Sequence, residues 1–94
     1  MDNDKKPKVS SNYTAERLDS EILLYTKAGT NAVYLNETAY AILQLCGEDK
    51  TVGQIIDYLE KIYPDQSNQI RIDVINALKL LESNNIIQWV DVVP

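Results

Sequence analysis

The pattern of apolar residues changes its period at Asn36, and this change limits the folds open to the chain. Before it, "AVYL" (32–35) predicts a short strand. After it, apolar residues recur at helical spacing, at Ala39, Ile42, Leu43 and Cys46, and Gly47 is placed to end the helix. Asn36 is a good N-cap, because its side-chain oxygen can accept hydrogen bonds from the amides of the first turn. The sequence therefore predicts a strand that turns directly into a helix.

Two more strands are predicted before this junction. The segments "NYTAERL" (12–18) and "EILLYT" (21–26) flank a tight turn at Asp19-Ser20, which indicates a hairpin. Residues 27–31 contain a glycine and form a second predicted turn. With residues 32–35, these segments predict a small antiparallel meander of three strands.

Two more helices are predicted after the junction. Thr51 and Gln54 have the spacing of a capping box, and Pro64 stops the helix that they begin. A third and longest helix is predicted from about Ser67 to Asn84. The tail "IIQWVDVV" is β-prone and could add a last strand or pack beneath the helices. The order of elements predicts an α+β fold with three strands followed by three helices.

The composition predicts one domain without a catalytic centre. A chain of 94 residues, 45% of them hydrophobic, suits a single globular domain, which we place at residues 9–94. Residues 1–8 are polar and are predicted to be a disordered tail. The chain has no histidine and a single cysteine, so it cannot form a disulfide within itself, a Cys/His zinc site or a Ser-His-Asp triad. We expect no enzymatic activity, no metal and no cofactor, and we expect Cys46 to be a small buried hydrophobe.

Charge and hydropathy bear on partners and location. The formal net charge is −5 and the pI is about 4.5, which argues against a nucleic-acid partner because phosphate binding needs clustered Lys and Arg. The polar N-terminus has no secretory signal, and no apolar run approaches the roughly 20 residues that span a membrane. We expect a cytoplasmic protein, a monomer or a weak homodimer, with no membrane partner.

The third helix leaves one flank unexplained. Its predicted core arc, at about 100° per residue, consists of Ile70, Val74, Ala77, Leu78 and Leu81. Ile72 and Ile75 fall outside this arc, on a flank shared with Arg71 and Lys79. The flank could pack on the sheet or the tail, or it could be an apolar groove with a basic rim, open to a partner.

The order of these motifs resembles the PqqD family of peptide chaperones in pyrroloquinoline quinone biosynthesis. The features that carry the resemblance are "VYLNETAYAIL", "LCGEDKTVGQII", "YP" and, on the last helix, "DV…L…L". The resemblance extends from residue 13 to about 90 and includes the wider class of RiPP recognition elements, which serve ribosomally made, post-translationally modified peptides. It implies a winged-helix-like fold and no chemistry by the chain itself.

The resemblance also implies a site and partners. Family members bind the leader of a precursor peptide as an added strand beside the third strand, against the third helix, and present it to a modifying enzyme. Carried over by position, the strand residues are Asn31, Ala32, Val33, Tyr34 and Leu35, and the helix residues are Arg71, Val74, Ile75, Leu78 and Lys79. The implied enzyme is a radical S-adenosylmethionine (SAM) enzyme, while other relatives serve lasso-peptide proteases or cyclodehydratases. The ends of the chain match no family motif, so whether the tail covers the groove stays open.

A DNA-binding winged helix is the alternative from another class. The second and third helices could form a helix-turn-helix. The third helix would then carry Arg71 and Lys79 against Asp73 and Glu82, a net charge near zero that is atypical of a recognition helix.

Overall fold

The computed structural model describes residues 3–10, 12–26 and 32–90. Its regular elements in chain order are β1 (Lys6–Val9), β2 (Tyr13–Arg17), β3 (Ile22–Thr26), β4 (Ala32–Leu35), α1 (Glu37–Cys46), α2 (Val52–Ile62), a 3₁₀ turn (Pro64–Gln66), α3 (Ser67–Ser83) and β5 (Ile87–Val90). The predicted α+β class, with a three-stranded antiparallel sheet followed by three helices, is confirmed.

The predicted meander is the three-stranded sheet, in the order β2-β3-β4. Both pairs of strands are antiparallel, and a tight turn at Asp19-Ser20 joins the first two. Alternate residues of β3 and β4 are buried, at Ile22, Leu24, Val33 and Leu35. The predicted turn at residues 27–31 lies outside the described residues.

Helix α1 begins directly after β4, as the sequence predicts. The Asn36 side chain accepts a hydrogen bond from the Ala39 amide at 2.8 Å. Because this cap satisfies a first-turn amide, the chain can leave the strand and enter the helix within one residue. The helix ends before Gly47, whose amide donates to the Gln44 carbonyl.

The predicted capping box of α2 is present. The Gln54 amide donates to the Thr51 hydroxyl at 3.1 Å, and the Thr51 amide donates to the Gln54 side chain at 2.9 Å. The helix ends at Ile62, and Pro64 begins the 3₁₀ turn that leads into α3. Buried residues of β3, β4 and the three helices belong to one hydrophobic core.

The N-terminal segment departs from its prediction. Residues 1–8 were expected to be disordered, but Lys6–Val9 is a strand that pairs with β5 in a second, two-stranded sheet. Pro7 is buried, and the Lys5 and Asn3 carbonyls accept the Val52 and Gly53 amides at the start of α2. The prediction is wrong here because long-range backbone pairing, which polar composition does not reveal, holds the segment in place.

The C-terminal tail forms a strand. The prediction that this tail could add a last strand is confirmed by β5. Within the described ranges, no helix is long and apolar enough to cross a membrane.

Candidate functional site

Strand β4 lies at an edge of the three-stranded sheet. It pairs with β3 on one side, and no strand of the described chain pairs with its other side. An edge strand presents alternate backbone N–H and C=O groups that an extended segment can complete. Which residues of β4 present these groups follows from the registers of the sheet.

The first register is set at the tight turn. The Leu18 amide donates to the Glu21 carbonyl at 2.8 Å, so these opposite residues form a hydrogen-bonded pair. In an antiparallel ladder, hydrogen-bonded and non-hydrogen-bonded pairs alternate. Along β3, Ile22 and Leu24 are therefore at non-hydrogen-bonded positions toward β2 and direct their backbone groups toward β4.

The second register gives the orientation of β4. Ile22 and Leu24 lie opposite Leu35 and Val33, so the backbone groups of those two β4 residues face β3. The intervening residues, Ala32 and Tyr34, direct their N–H and C=O groups away from the sheet. The open edge of β4 is thus formed by the backbones of Ala32 and Tyr34.

The side chains of β4 alternate between core and surface. Val33 and Leu35 are buried, whereas Ala32 is exposed and Tyr34 is 59% exposed. Of the predicted strand residues, Val33 and Leu35 therefore pack in the core, and Ala32 and Tyr34 lie at the surface. Asn31 lies outside the described residues. No side chain of β4 blocks the edge with a charge, a common protection of edge strands.

A groove of about 210 Å³ borders this edge, between the end of β4, the start of α1 and one face of α3. Its lining residues are Tyr34, Leu35, Asn36, Thr38, Ala39, Asp73, Asn76, Ala77 and Leu80. Asn76 and Ala77 are each three or four residues from both Asp73 and Leu80, so the four residues from α3 share one face of the helix. By contrast, four of the five residues of β2, the other edge strand, are exposed. The edge of β4 is therefore the one that has an adjacent helix wall.

The predicted helix residues do not form this wall. Val74 and Leu78 are completely buried in the core, so their side chains are not available to a partner. Arg71, Ile75 and Lys79 occupy the flank of α3 that lies roughly 150° around the helix from the groove face. The groove beside β4 is therefore lined by other residues of α3, and an apolar groove with a basic rim at Arg71, Ile75 and Lys79 stays a prediction.

The residues that line the wall instead were not predicted as site residues. Asp73 and Asn76 are polar, and Ala77 belonged to the predicted core arc, so nothing in the sequence was a reason to place these three in a binding site. Leu80 could have been identified, because it is an apolar residue outside the core arc. Leu80 is 39% exposed and gives the wall an apolar surface. The groove is thus apolar at Ala77 and Leu80 and polar at its other two helix residues.

Asp73 is the charged residue of the lining. Its carboxylate accepts a hydrogen bond from the Gln69 side-chain amide at 2.9 Å, and no cation of the described part of the chain pairs with it. The groove is therefore acidic, whereas a basic rim was expected.

The cysteine has no chemical role in this site. Cys46 is buried as predicted, and its burial raises the pKa of the thiol to about 12. Burial also raises the pKa of the neighbouring Tyr13 hydroxyl, followed by the effects of Tyr40 and Cys46. Since the reactive form of cysteine is the thiolate, Cys46 stays protonated and inert at neutral pH. Its contribution is to packing.

One comparison with known proteins is informative. The family model described as coenzyme PQQ synthesis protein D (PqqD) matches residues 21–87, which is well over half of the 94 residues. The match includes β3, β4 and all three helices, hence both sides of the groove. No curated protein and no solved structure is significantly similar to the chain.

Proposed function

The chain belongs to the PqqD family, whose members are peptide-binding chaperones of cofactor and RiPP biosynthesis, and from this premise we propose how it binds its peptide. The leader region of a precursor peptide adds as a strand to the open edge of β4 and lies in the groove against α3. The protein then presents the peptide to a modifying enzyme. The chain itself catalyses nothing, in keeping with the accessory role of the family.

The observation that carries this proposal is the open edge of β4 beside a helix wall. The backbones of Ala32 and Tyr34 point away from β3 and offer donors and acceptors to an extended segment. In strand addition, such main-chain hydrogen bonds supply affinity that tolerates many sequences, and adjacent pockets supply specificity. β4 meets both requirements, because the groove borders it.

The strand-to-helix junction keeps this arrangement open. The Asn36 cap turns the chain from β4 into α1 within one residue, so no loop separates the strand from the helix that follows it. The same turn positions Thr38 and Ala39 at the end of the groove. A leader strand that pairs with β4 places alternate side chains toward α3.

The modifying enzyme is proposed to be a radical SAM enzyme, because the chain resembles the PqqD family over most of its length. Lasso-peptide proteases and cyclodehydratases, which serve other recognition elements, are the alternatives. Co-purification with the enzymes encoded beside this gene distinguishes them.

A DNA-binding winged helix has less support from the described residues. The exposed side of α3 carries Arg71 and Lys79, but also Glu82 and, in the groove, Asp73. Such a surface has no net positive charge with which to neutralise phosphates.

Titration calorimetry with the leader peptide encoded beside this gene tests the proposal. We expect a dissociation constant in the micromolar range or below, about −8 kcal/mol or stronger, and no binding to random duplex DNA at physiological salt. NMR spectra should show the largest amide shifts at Ala32, Tyr34 and the groove face of α3. Shifts confined to the Arg71 flank, or DNA binding without leader binding, would contradict the proposal.

A further inference from the structure

The charge of the groove bears on the kind of peptide that fits it. Asp73 lies on the groove face of α3, one helical turn from Ala77 and two turns from Leu80. Its only described side-chain partner is the neutral Gln69 amide. A partner strand in the groove would therefore meet an uncompensated carboxylate next to an apolar surface.

From this arrangement we infer that the recognised leader strand carries a lysine or arginine opposite Asp73 and an apolar side chain opposite Ala77 and Leu80. This inference rests on the proposed strand addition at β4 and adds the chemistry of the peptide. A cation is the complement of a partly desolvated carboxylate, since a second carboxylate there would be repelled and a neutral apolar group would leave it unpaired.

The spacing of the two anchors follows from the geometry of a strand. Side chains that face the same way are alternate residues, so the cation and the apolar anchor are separated by an even number of positions. One helical turn advances about 5.4 Å and two strand residues advance about 6.8 Å, so each turn of α3 matches one such step. The expected pattern is a cation with an apolar residue two positions away, opposite Ala77, or four positions away, opposite Leu80.

The basic residues of α3 give a matched contrast. Arg71 and Lys79 lie on the opposite flank and do not line the groove. A leader that carried acidic residues to reach them would have to extend around the helix. The groove charge therefore predicts selection of a cationic leader strand, the reverse of what a basic rim would select.

Selection from a random peptide display library against the parent protein tests the inference without knowledge of the natural leader. We expect the enriched peptides to share a lysine or arginine two or four positions from an apolar residue. Asp73→Asn keeps an acceptor for Gln69 but removes the charge, and should weaken an enriched peptide about five-fold. Asp73→Lys should weaken it about 25-fold, since attraction becomes repulsion, and a peptide with glutamate in place of its cation should recover that affinity.

Glu82→Lys is the control, because it makes the same charge change on the exposed side of α3 outside the groove. It should leave peptide affinity within two-fold. Amide hydrogen exchange at Tyr34 separates the possible failures. The inference is overturned if the selected peptides protect the Tyr34 amide but show no preference for a cation and bind Asp73→Lys as tightly as the parent protein. That result would leave strand addition intact. A selection in which no peptide protects the Tyr34 amide overturns strand addition, and the inference with it.

Discussion

Proline at position 34 is the sharpest perturbation of the proposed strand addition. In Tyr34→Pro the backbone donor on the open edge is lost, but the bonds between β4 and β3 are kept, because the Tyr34 amide faces away from β3. Proline is tolerated in edge strands when its missing N–H would face solvent. The variant should therefore fold but bind the leader less tightly.

The size of the loss follows from the group that the proline leaves unpaired. In the complex, the leader carbonyl that would have accepted from the Tyr34 amide is buried without a donor. This makes the binding free energy less favourable by about 1–3 kcal/mol, which is roughly a 5- to 150-fold loss of affinity. The reference is Tyr34→Ala, which removes the same side chain, 59% exposed in the free protein, but keeps the amide. Calorimetry gives the affinities, and urea unfolding followed by circular dichroism confirms that both variants are folded.

Two proline variants serve as matched controls. Ala15 in β2 also directs its amide away from the sheet, on the opposite edge, so Ala15→Pro should leave leader affinity unchanged. Val33→Pro removes a donor to β3 and a buried side chain, so it should destabilise the fold itself. The reasoning is refuted if folded Tyr34→Pro binds the leader as tightly as Tyr34→Ala, or if Ala15→Pro weakens binding equally.

The remaining predictions concern residues outside the groove. Leu78→Asp should destabilise the fold by about 3 kcal/mol or more in urea titrations, because it buries an unpaired carboxylate in the core; a folded variant of unchanged stability would contradict its burial. Arg71→Glu and Lys79→Glu should leave leader affinity within two-fold by calorimetry, and a ten-fold loss in either would restore the basic flank as the site. Cys46 has a raised pKa in the folded state, so its contribution to stability is complete below about pH 9 and is lost as pH rises toward 12. Urea titrations across this range should show a fall, of up to about 1.4 kcal/mol per pH unit, that Cys46→Ala lacks.

The local elements of the fold could be predicted because their signals are local. The boundaries of β4 and the capping residues Asn36 and Thr51 follow from residues within a few positions of one another. Side-chain period and capping chemistry act over one or two turns of chain, so a single sequence contains them in full. The resemblance to the PqqD family, carried by the order of these motifs, is confirmed by the family match.

The position of the groove face was decided only by the tertiary structure. The helical period of α3 correctly placed Val74 and Leu78 on the core side, but a helix has two flanks beside its core arc. Which flank borders β4 depends on how α3 packs across the sheet, and that packing joins residues far apart in the chain. The family resemblance implied the basic flank, whereas the packing placed Asp73 and Leu80 beside the edge.

The N-terminal strand illustrates the same limit. Residues 6–8 are polar apart from Pro7, so nothing in their composition predicted a strand. Their order comes from β5, about eighty positions away, and from the free amides at the start of α2. The sequence by itself thus determined where most strands and helices begin and end, because those signals are short-range. Only the assembled fold determined which backbone groups and which helix face meet at the open edge, because that depends on long-range packing.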